Sequence, residues 1–344
     1  MKAFDVAVIG AGVMGAATAR ALAKRGKKVV LLEQVEVGHT RGSSHGTSRI
    51  FRFSYPSAEY VKMAQESLPL WRELERESGE TLLTITGGLD RGPHIAENAA
   101  ALSSCGASYE IHKGAAINQR FAGLSLPPDE PVLLQGDAGY LAADACVSAF
   151  VSSAVTAGAE VRERSRVDSI KAAGDGVEVE TAEGMVHAQV AVVTAGAWAA
   201  GILGSLGIDL PLRPTRETVA YFATRGEVLP PLVEWGHPAI YALPAPGVGI
   251  KAGEHQAGPT VDPDEVGGPD EASLARVKQW VRDRFPLADP EPLQVETCLY
   301  TNTPDEGFVL ERFGNVVVGS PCSGHGFKFA PLIGERLADL AVSK

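Results

Sequence analysis

Cysteine is scarce in this 344-residue chain, and its four copies, Cys105, Cys146, Cys298 and Cys322, are widely spaced with no C-x-x-C pair. That argues for a reducing compartment and against a disulfide framework or a zinc site, so no metal is expected. No apolar run approaches the roughly 18–20 residues of a membrane span. No basic cluster stands out and the net charge is −11, which disfavours nucleic acid and anionic membranes as partners but leaves room for a local basic pocket. Internal repeats and low-complexity tracts are missing too. The first strand pattern starts within a few residues of Met1, leaving no room for a leader ahead of it, and the chain ends Ala-Val-Ser-Lys344, unlike a peroxisomal Ser-Lys-Leu address. A cytoplasmic location is the expectation. The length suits one discontinuous unit or two intimately joined domains.

What the chain does have is a strand, a glycine turn and a helix at its start. Residues 6–9 read as a buried parallel strand, run into Gly10-Ala-Gly-Val-Met-Gly15, and continue as an Ala-rich helix over 16–24. Gly10 permits the turn, Gly12 lets the backbone approach a pyrophosphate at the positive end of the helix, and Gly15 lets helix and strand pack closely. A second strand, 28–32, ends in Glu33, whose carboxylate can accept hydrogen bonds from a ribose. An acidic residue there favours an unphosphorylated ribose, hence FAD or NAD over NADP.

Residues 42–55 pack small, polar and cationic side chains into a loop, then alternate Ile50/Arg52/Ser54 against Phe51/Phe53/Tyr55. An arginine inside an apolar run is costly to bury alone, so Arg52 should reach solvent or meet an anion. Residues 58–78 form an amphipathic helix stopped at Gly79. From 81 to 141 the pattern changes to short strands and helices, with strands at 82–86 and 87–90 and a helix over 95–104. A helix over 142–157, a strand at 159–161 and an antiparallel meander at 166–172, 177–181 and 186–187 follow.

The buried-strand pattern resumes at 189–194 and enters Ala195-Gly196-Ala-Trp198, a second glycine turn. It is either a plain strand-to-helix turn or a second close approach to a dinucleotide lying extended across the domain, as FAD does. Residues 210–224 and 239–251 read as longer strands and 271–285 as a helix. The strands 295–301, 308–311 and 315–319, the turn 321–330 and a last helix over 331–340 complete the pattern. The expected fold class is α/β (α+β), a Rossmann-like dinucleotide domain (1–80, 140–210 and 295–344) with a discontinuous substrate domain (81–139 and 211–294) on a mostly antiparallel sheet.

Four stretches carry a resemblance: Gly10 to Gly15, Ser44-His-Gly-Thr-Ser-Arg-Ile-Phe-Arg52, Thr297-Cys-Leu-Tyr-Thr-Asn-Thr-Pro-Asp-Glu306 and Ser323-Gly-His-Gly-Phe-Lys328. Together, and over essentially the whole chain, the sequence resembles the monomeric sarcosine oxidase family, which includes N-methyltryptophan oxidase and sits among the D-amino-acid oxidase-like flavoenzymes. The resemblance implies a monomeric FAD oxidase of secondary amino acids, with the flavin 8α-methyl group linked to Cys298. A lone cysteine is more commonly a buried free thiol, and the linkage asks for a setting that lowers the thiol pKa. Cys322, the other candidate, is read as packing.

By the same resemblance, FAD would be held by Gly10, Gly12, Val13, Met14, Gly15, Glu33, Gln34, Ser43, Ser44, Arg49, Val167, Ala195, Gly196, Trp198, Gly324, His325, Gly326, Phe327 and Lys328. Arg52 and Lys328 match a carboxylate-binding pair, a bidentate guanidinium beside a compact ammonium. Lys251 is placed beside flavin N5, to stabilise charge developing on dioxygen. His255, Tyr241 and Tyr300 match the substrate pocket, and His45 and Arg49 a flavin-facing pair. The family has Asp where Thr47 or Ser48 stands here. The implied reaction takes a free secondary amine to an imine that hydrolyses off the enzyme, and dioxygen to hydrogen peroxide. N-methyl amino acids, L-proline or L-pipecolate, and more distantly a fructosyl amino acid, are chemically equivalent targets. A flavin dehydrogenase serving a carrier, or a non-catalytic dinucleotide module, are the other classes.

Overall fold

The computed structural model describes residues 4–343. Strand β1 (Phe4–Ile9), helix α1 (Val13–Lys24) and β2 (Val29–Leu32) come first, then β3 (Ser48–Phe51), α2 (Ala58–Ser78), β4 (Leu83–Ile85), β5 (Gly88–Arg91) and α3 (Ile95–Ser104). Next are β6 (Glu110–Lys113), α4 (Gly114–Arg120), β7 (Pro131–Gln135), β8 (Gly139–Ala142), α5 (Ala143–Thr156) and β9 (Glu160–Arg162). The strands β10 (Val167–Ala173), β11 (Gly176–Thr181) and β12 (Gly184–Val193) lead through a 3-10 turn, Gly196–Trp198, into α6 (Ala199–Gly204). Last are β13 (Arg213–Ala223), β14 (Leu232–Glu234), β15 (Ala239–Ala245), β16 (Gly249–His255), α7 (Glu271–Arg284), β17 (Gln294–Asn302), β18 (Val309–Phe313), β19 (Val316–Ser320) and α8 (Ala330–Val342).

The first sheet runs β10-β11-β12-β1-β2-β9, with β19 and then β18 joined to the far half of β12. β1 lies parallel to both β12 and β2, and its apolar run at residues 6–9 reflects cover on both faces. α1, α5 and α8 share one core with Trp71 and Leu74 of α2. Gly334 lets α8 lie against α1, since a Cβ there would come within 2.8 Å of Ala17. The second sheet, β17-β13-β16-β15-β14-β5-β7-β6, is antiparallel except where β14 meets β5, and Val277, Trp280 and Val281 of α7 pack into its core. A small third sheet, β3-β8-β4, lies beside them. The α/β class with a parallel dinucleotide sheet and a mostly antiparallel second sheet is therefore the architecture.

Two expectations need correction. Residues 186–187 and 189–193 belong to one ten-residue strand, β12, which pairs antiparallel with β11 in its first half and parallel with β1 and β19 further on. Gln189, where the second strand was expected to start, is an exposed pleat position inside β12. Residues 239–251 are not one strand but a hairpin, β15 to β16, turning at 246–248 where Pro-Gly supplies the bend, with Gly247 at φ 80°. Lys251 consequently sits inside β16 rather than at a strand end. Strand β17, which spans the expected boundary at residue 295, pairs antiparallel along its length with β13 in the second sheet.

The glycines of the first turn divide their work as their positions require. Gly10 has φ 96°, and a Cβ on Gly15 would sit 1.8 Å from the Gly10 carbonyl oxygen and 2.6 Å from Thr194 Oγ1. Gly12 is different, since its Cβ would meet only Ser44, at 3.1 Å. Gly15→Ala should therefore destabilise the fold by about 1–3 kcal/mol through overpacking, read as a lower thermal midpoint, whereas Gly12→Ala should leave the midpoint nearly unmoved.

Candidate active site

A cavity of about 1290 Å³ runs between the first and second sheets. It is lined by every residue singled out from the sequence as a site residue, Gly15 excepted; Gly15 serves helix packing instead. At one end the α1 N-terminus faces it, with no acidic side chain in the first turn. Val13 N–H donates to Ser44 Oγ (3.1 Å). Glu33 accepts from Ala11 N–H (2.8 Å) and Val35 N–H (3.0 Å), with His39 Nε2 at 3.3 Å. Burial pushes this carboxyl up, but those hydrogen bonds outweigh it and hold it below its ordinary value. Three donors leave a lone pair free for a ribose hydroxyl. Gln34, Val167, Ala195, Gly196 and Trp198 lie along the same wall, Trp198 held by Nε1–H to Asp264 (2.8 Å).

Cations gather at the other end. Arg49 donates to the carbonyls of Ser48 (2.8 Å), Ser43 and His45 (both 2.7 Å) and lies 5.6 Å from the Phe327 ring centroid. Arg52 meets an anion, as burial demands: Nη1 donates to Asp90 (2.8 Å) and the Ser54 carbonyl (2.6 Å), and the guanidinium stands 4.7 and 5.0 Å from the Tyr55 and Trp235 ring centroids. The anion it meets is thus a residue of the chain, leaving Nη2 and Nε free of partners among the described residues. Lys328 donates to the Tyr55 hydroxyl and the His325 carbonyl, both at 2.7 Å. Its own carbonyl accepts from Trp71 Nε1 (2.8 Å), which ties the turn to α2. Lys251 is buried with no hydrogen-bond acceptor among the described residues; its Nζ lies 5.6 Å from the Tyr221 ring centroid.

This crowding sets the titration of the site. Burial first, then Arg49, brings Lys251 down to about 7. Burial and Arg52 hold Lys328 well below its usual range. Burial and neighbouring cations push His45 and His255 to about 4 and His325 to about 3, so all three imidazoles are neutral at pH 7. Tyr241 and Tyr300, joined by a hydrogen bond, are raised by burial. Cys298 differs from expectation: burial raises its thiol, and the lowering by Arg49 and Lys251 does not overcome it. Cys322 also borders the cavity, its Sγ accepting the Thr301 N–H (3.2 Å).

Two glycines shape the pocket floor. A Cβ on Gly324 would strike the Tyr300 ring at 2.2 Å, and one on Gly326 the Pro321 carbonyl oxygen at 1.6 Å. At the departure from the family near Thr47 and Ser48, Asp144 of α5 accepts the Gly46 N–H (2.9 Å) while Ser48 Oγ donates to the Pro244 carbonyl (2.6 Å). Tyr55, Asp90, Trp235 and Asp144 were not anticipated as site residues. Asp90 had a signal, an acid in an apolar strand pattern that mirrors Arg52; Trp235, in a turn-rich stretch, had none.

The residues fit a flavin dinucleotide. The turn keeps Gly12 clear where a phosphate would approach, the helix end lacks an internal anion, and buried His45 Nε2 has no partner among the described residues. Fold and cavity together define a flavin-dependent oxidoreductase. The chain belongs to the FAD dependent oxidoreductase (DAO) family, whose model matches residues 5–340. Monomeric sarcosine oxidase of Bacillus sp. (strain NS-129) is 33% identical over 360 residues, covering 99% of this chain and 93% of the relative. Peroxisomal sarcosine oxidase of Homo sapiens is 36% identical over 367 residues, covering 98% and 92%. Among solved structures, the open form of NikD, an unusual amino acid oxidase essential for nikkomycin biosynthesis, superposes with a TM-score of 0.91 at 29% identity, over 100% of this chain and 95% of that one.

Two outcomes follow from the charges. Asp90→Ala strands a buried guanidinium and should cost about 3–5 kcal/mol in urea denaturation. Lys251 is protonated in folded and unfolded chains below about pH 7, while between about 7 and its ordinary 10.5 only the unfolded chain holds that proton. Its contribution in cofactor-free protein is stability that rises with pH across that window, and Lys251→Met should remove that part of the slope in urea titrations from pH 7 to 9.

Proposed function

We propose that this protein is an FAD-dependent oxidase of secondary amino acids, sarcosine or another N-methyl amino acid, with dioxygen as electron acceptor. The observation that carries this reading is the convergence of Arg52 and Lys328 on Tyr55 in the same cavity that holds the dinucleotide cradle. The curated relatives named sarcosine oxidases support it. Bound FAD would supply the redox chemistry, taking two electrons from the amine and returning them to dioxygen.

The chain's own residues do the rest. Lys328 and the free face of Arg52 bind the substrate carboxylate and so orient the carbon that is to be oxidised. The amine must be uncharged to lose hydride, and neutral His255 and the paired hydroxyls of Tyr241 and Tyr300 offer acceptors for its proton. The imine hydrolyses after release. Lys251, desolvated and without a competing acceptor, is placed to stabilise negative charge on oxygen. We extend the reading to a thioether between Cys298 and the flavin 8α-methyl group, with Arg49 and Lys251 as the groups that favour the thiolate, and to a cytoplasmic monomer.

Acid precipitation tests the linkage: yellow should stay with the wild-type pellet and leave it in Cys298→Ser, and release in Cys322→Ser instead would overturn the assignment. A peroxide assay over sarcosine, other N-methyl amino acids, L-proline, L-pipecolate and fructosyl amino acids tests the reaction. Turnover without oxygen uptake at an electrode would point to a carrier-linked dehydrogenase. Lys328→Met should lower kcat/KM for the carboxylate substrate roughly ten- to hundredfold, the loss of one charge-assisted hydrogen bond. Sedimentation at micromolar concentration checks the monomer.

A further inference from the structure

Lys251, Tyr221 and Gln294 are successive cross-strand partners on β16, β13 and β17, and Glu296 lies two residues along β17 on the same face. Tyr221 Oη donates to Glu296 Oε2 (3.0 Å), whose other oxygen accepts from Gln294 Nε2 (2.6 Å). The main cavity touches Lys251 but not Tyr221. A second cavity, of about 250 Å³ behind residues 38–47, touches Tyr221, Glu296, Gln294, Asp144 and Gly46 but not Lys251. Gly38, Thr40 and Gln294 in its wall are exposed, so this cavity opens to solvent.

Gly46 stands where the two spaces meet, with φ 102°. A Cβ there would lie 3.1 Å from Tyr221 Oη, 3.4 Å from Lys251 Nζ and 3.7 Å from Arg49 Nη1. With no side chain on Gly46, the Tyr221 hydroxyl and the Lys251 amine close in on the same side of its backbone, and a proton passing between them needs one water to join them. A group able to return a proton to the Lys251 amine thus lies behind it, away from the main cavity.

We propose that Glu296 and Tyr221 form a proton path from solvent to Lys251, with the second cavity as its mouth. This rests on the oxygen-reducing role of Lys251 given above. Reduction of one dioxygen to hydrogen peroxide takes up two electrons, drawn from the amine through FAD, and two protons. One of these protons travels with the electron pair, as the hydride equivalent taken from the amine; the Lys251 ammonium gives the other to the reduced oxygen and becomes an amine. Tyr221 passes its hydroxyl proton to that amine across the bridging water and is replenished through its hydrogen bond to Glu296, which relays a proton from bulk water. Each pass moves one proton and breaks only O–H and N–H bonds. The charged and titratable groups facing Lys251 are Arg49 from β3, His45 from the loop before it, Asp144 from α5, and Cys298 and Glu296 from β17; Arg49 disfavours the ammonium, while Glu296 and Asp144 favour it.

Holoenzyme reduced with dithionite and mixed with air-saturated buffer tests the path, with reoxidation followed by flavin absorbance in H2O and D2O. A second readout is the titration of Lys251 in protein carrying 13C at lysine Cε, its resonance identified by loss in Lys251→Met. Tyr221→Phe should slow reoxidation roughly tenfold and enlarge the solvent isotope effect, with the Lys251 midpoint unmoved. Glu296→Gln should slow it too, shift that midpoint to lower pH, and regain rate on addition of acetic acid. Reoxidation at the wild-type rate in both variants, with Lys251→Met slow, overturns the path alone. Wild-type reoxidation in Lys251→Met overturns the oxygen role of Lys251 and the path with it.

Discussion

Four cations, Arg49, Arg52, Lys251 and Lys328, border one largely desolvated cavity in a chain whose net charge is −11. A buried charge without partners is untenable, so the surrounding elements are arranged by what each cation must touch. A guanidinium cannot shed its proton and has to be paired. Accordingly the arginines take the strong acceptors: three carbonyls for Arg49, Asp90 and two aromatic faces for Arg52. An amine has another way out. Lys328 keeps two acceptors; Lys251 has none among the described residues and sits at about 7, poised between its charge states.

The same positive field and burial keep the imidazoles of His45, His255 and His325 neutral. The cavity therefore joins fixed positive charge to uncharged hydrogen-bonding groups, a combination suited to a carboxylate beside a free amine. Its aromatic walls supply rigidity: Tyr55 touches both Arg52 and Lys328, and Trp71 stacks on Phe327 at 6.3 Å while holding the Lys328 carbonyl. One turn carries Lys328 together with Gly324 and Gly326, so the same segment positions the lysine and the cavity floor.

Legibility followed locality. The β1–α1 turn, the amphipathic α2 and the helix α3 could be read within a few residues, since period and glycine position are local properties. The division of β12 and the merging of β15 with β16 were misread because strand continuity depends on partners distant in sequence. Within the site, Arg52 announced that it needed an anion, but nothing local named Asp90, 38 residues on. Tyr221 and Glu296 read as ordinary strand residues; only the register of β13 between β16 and β17 puts them in line with Lys251.

By itself the sequence determined the dinucleotide turn, the α/β class and, through its resemblance, the family and the set of side chains that border the cavity. Those are matters of residue type and spacing, which the chain carries wherever it folds. The tertiary structure decided which charges are paired and which are left open. It gave Arg52 an internal carboxylate, left Cys298 a thiol raised by burial, and gave Lys251 no acceptor among the described residues. The reason is physical: a pKa and an ion pair depend on desolvation and on neighbours a few ångströms away, and those neighbours come from strands and helices that meet only after folding.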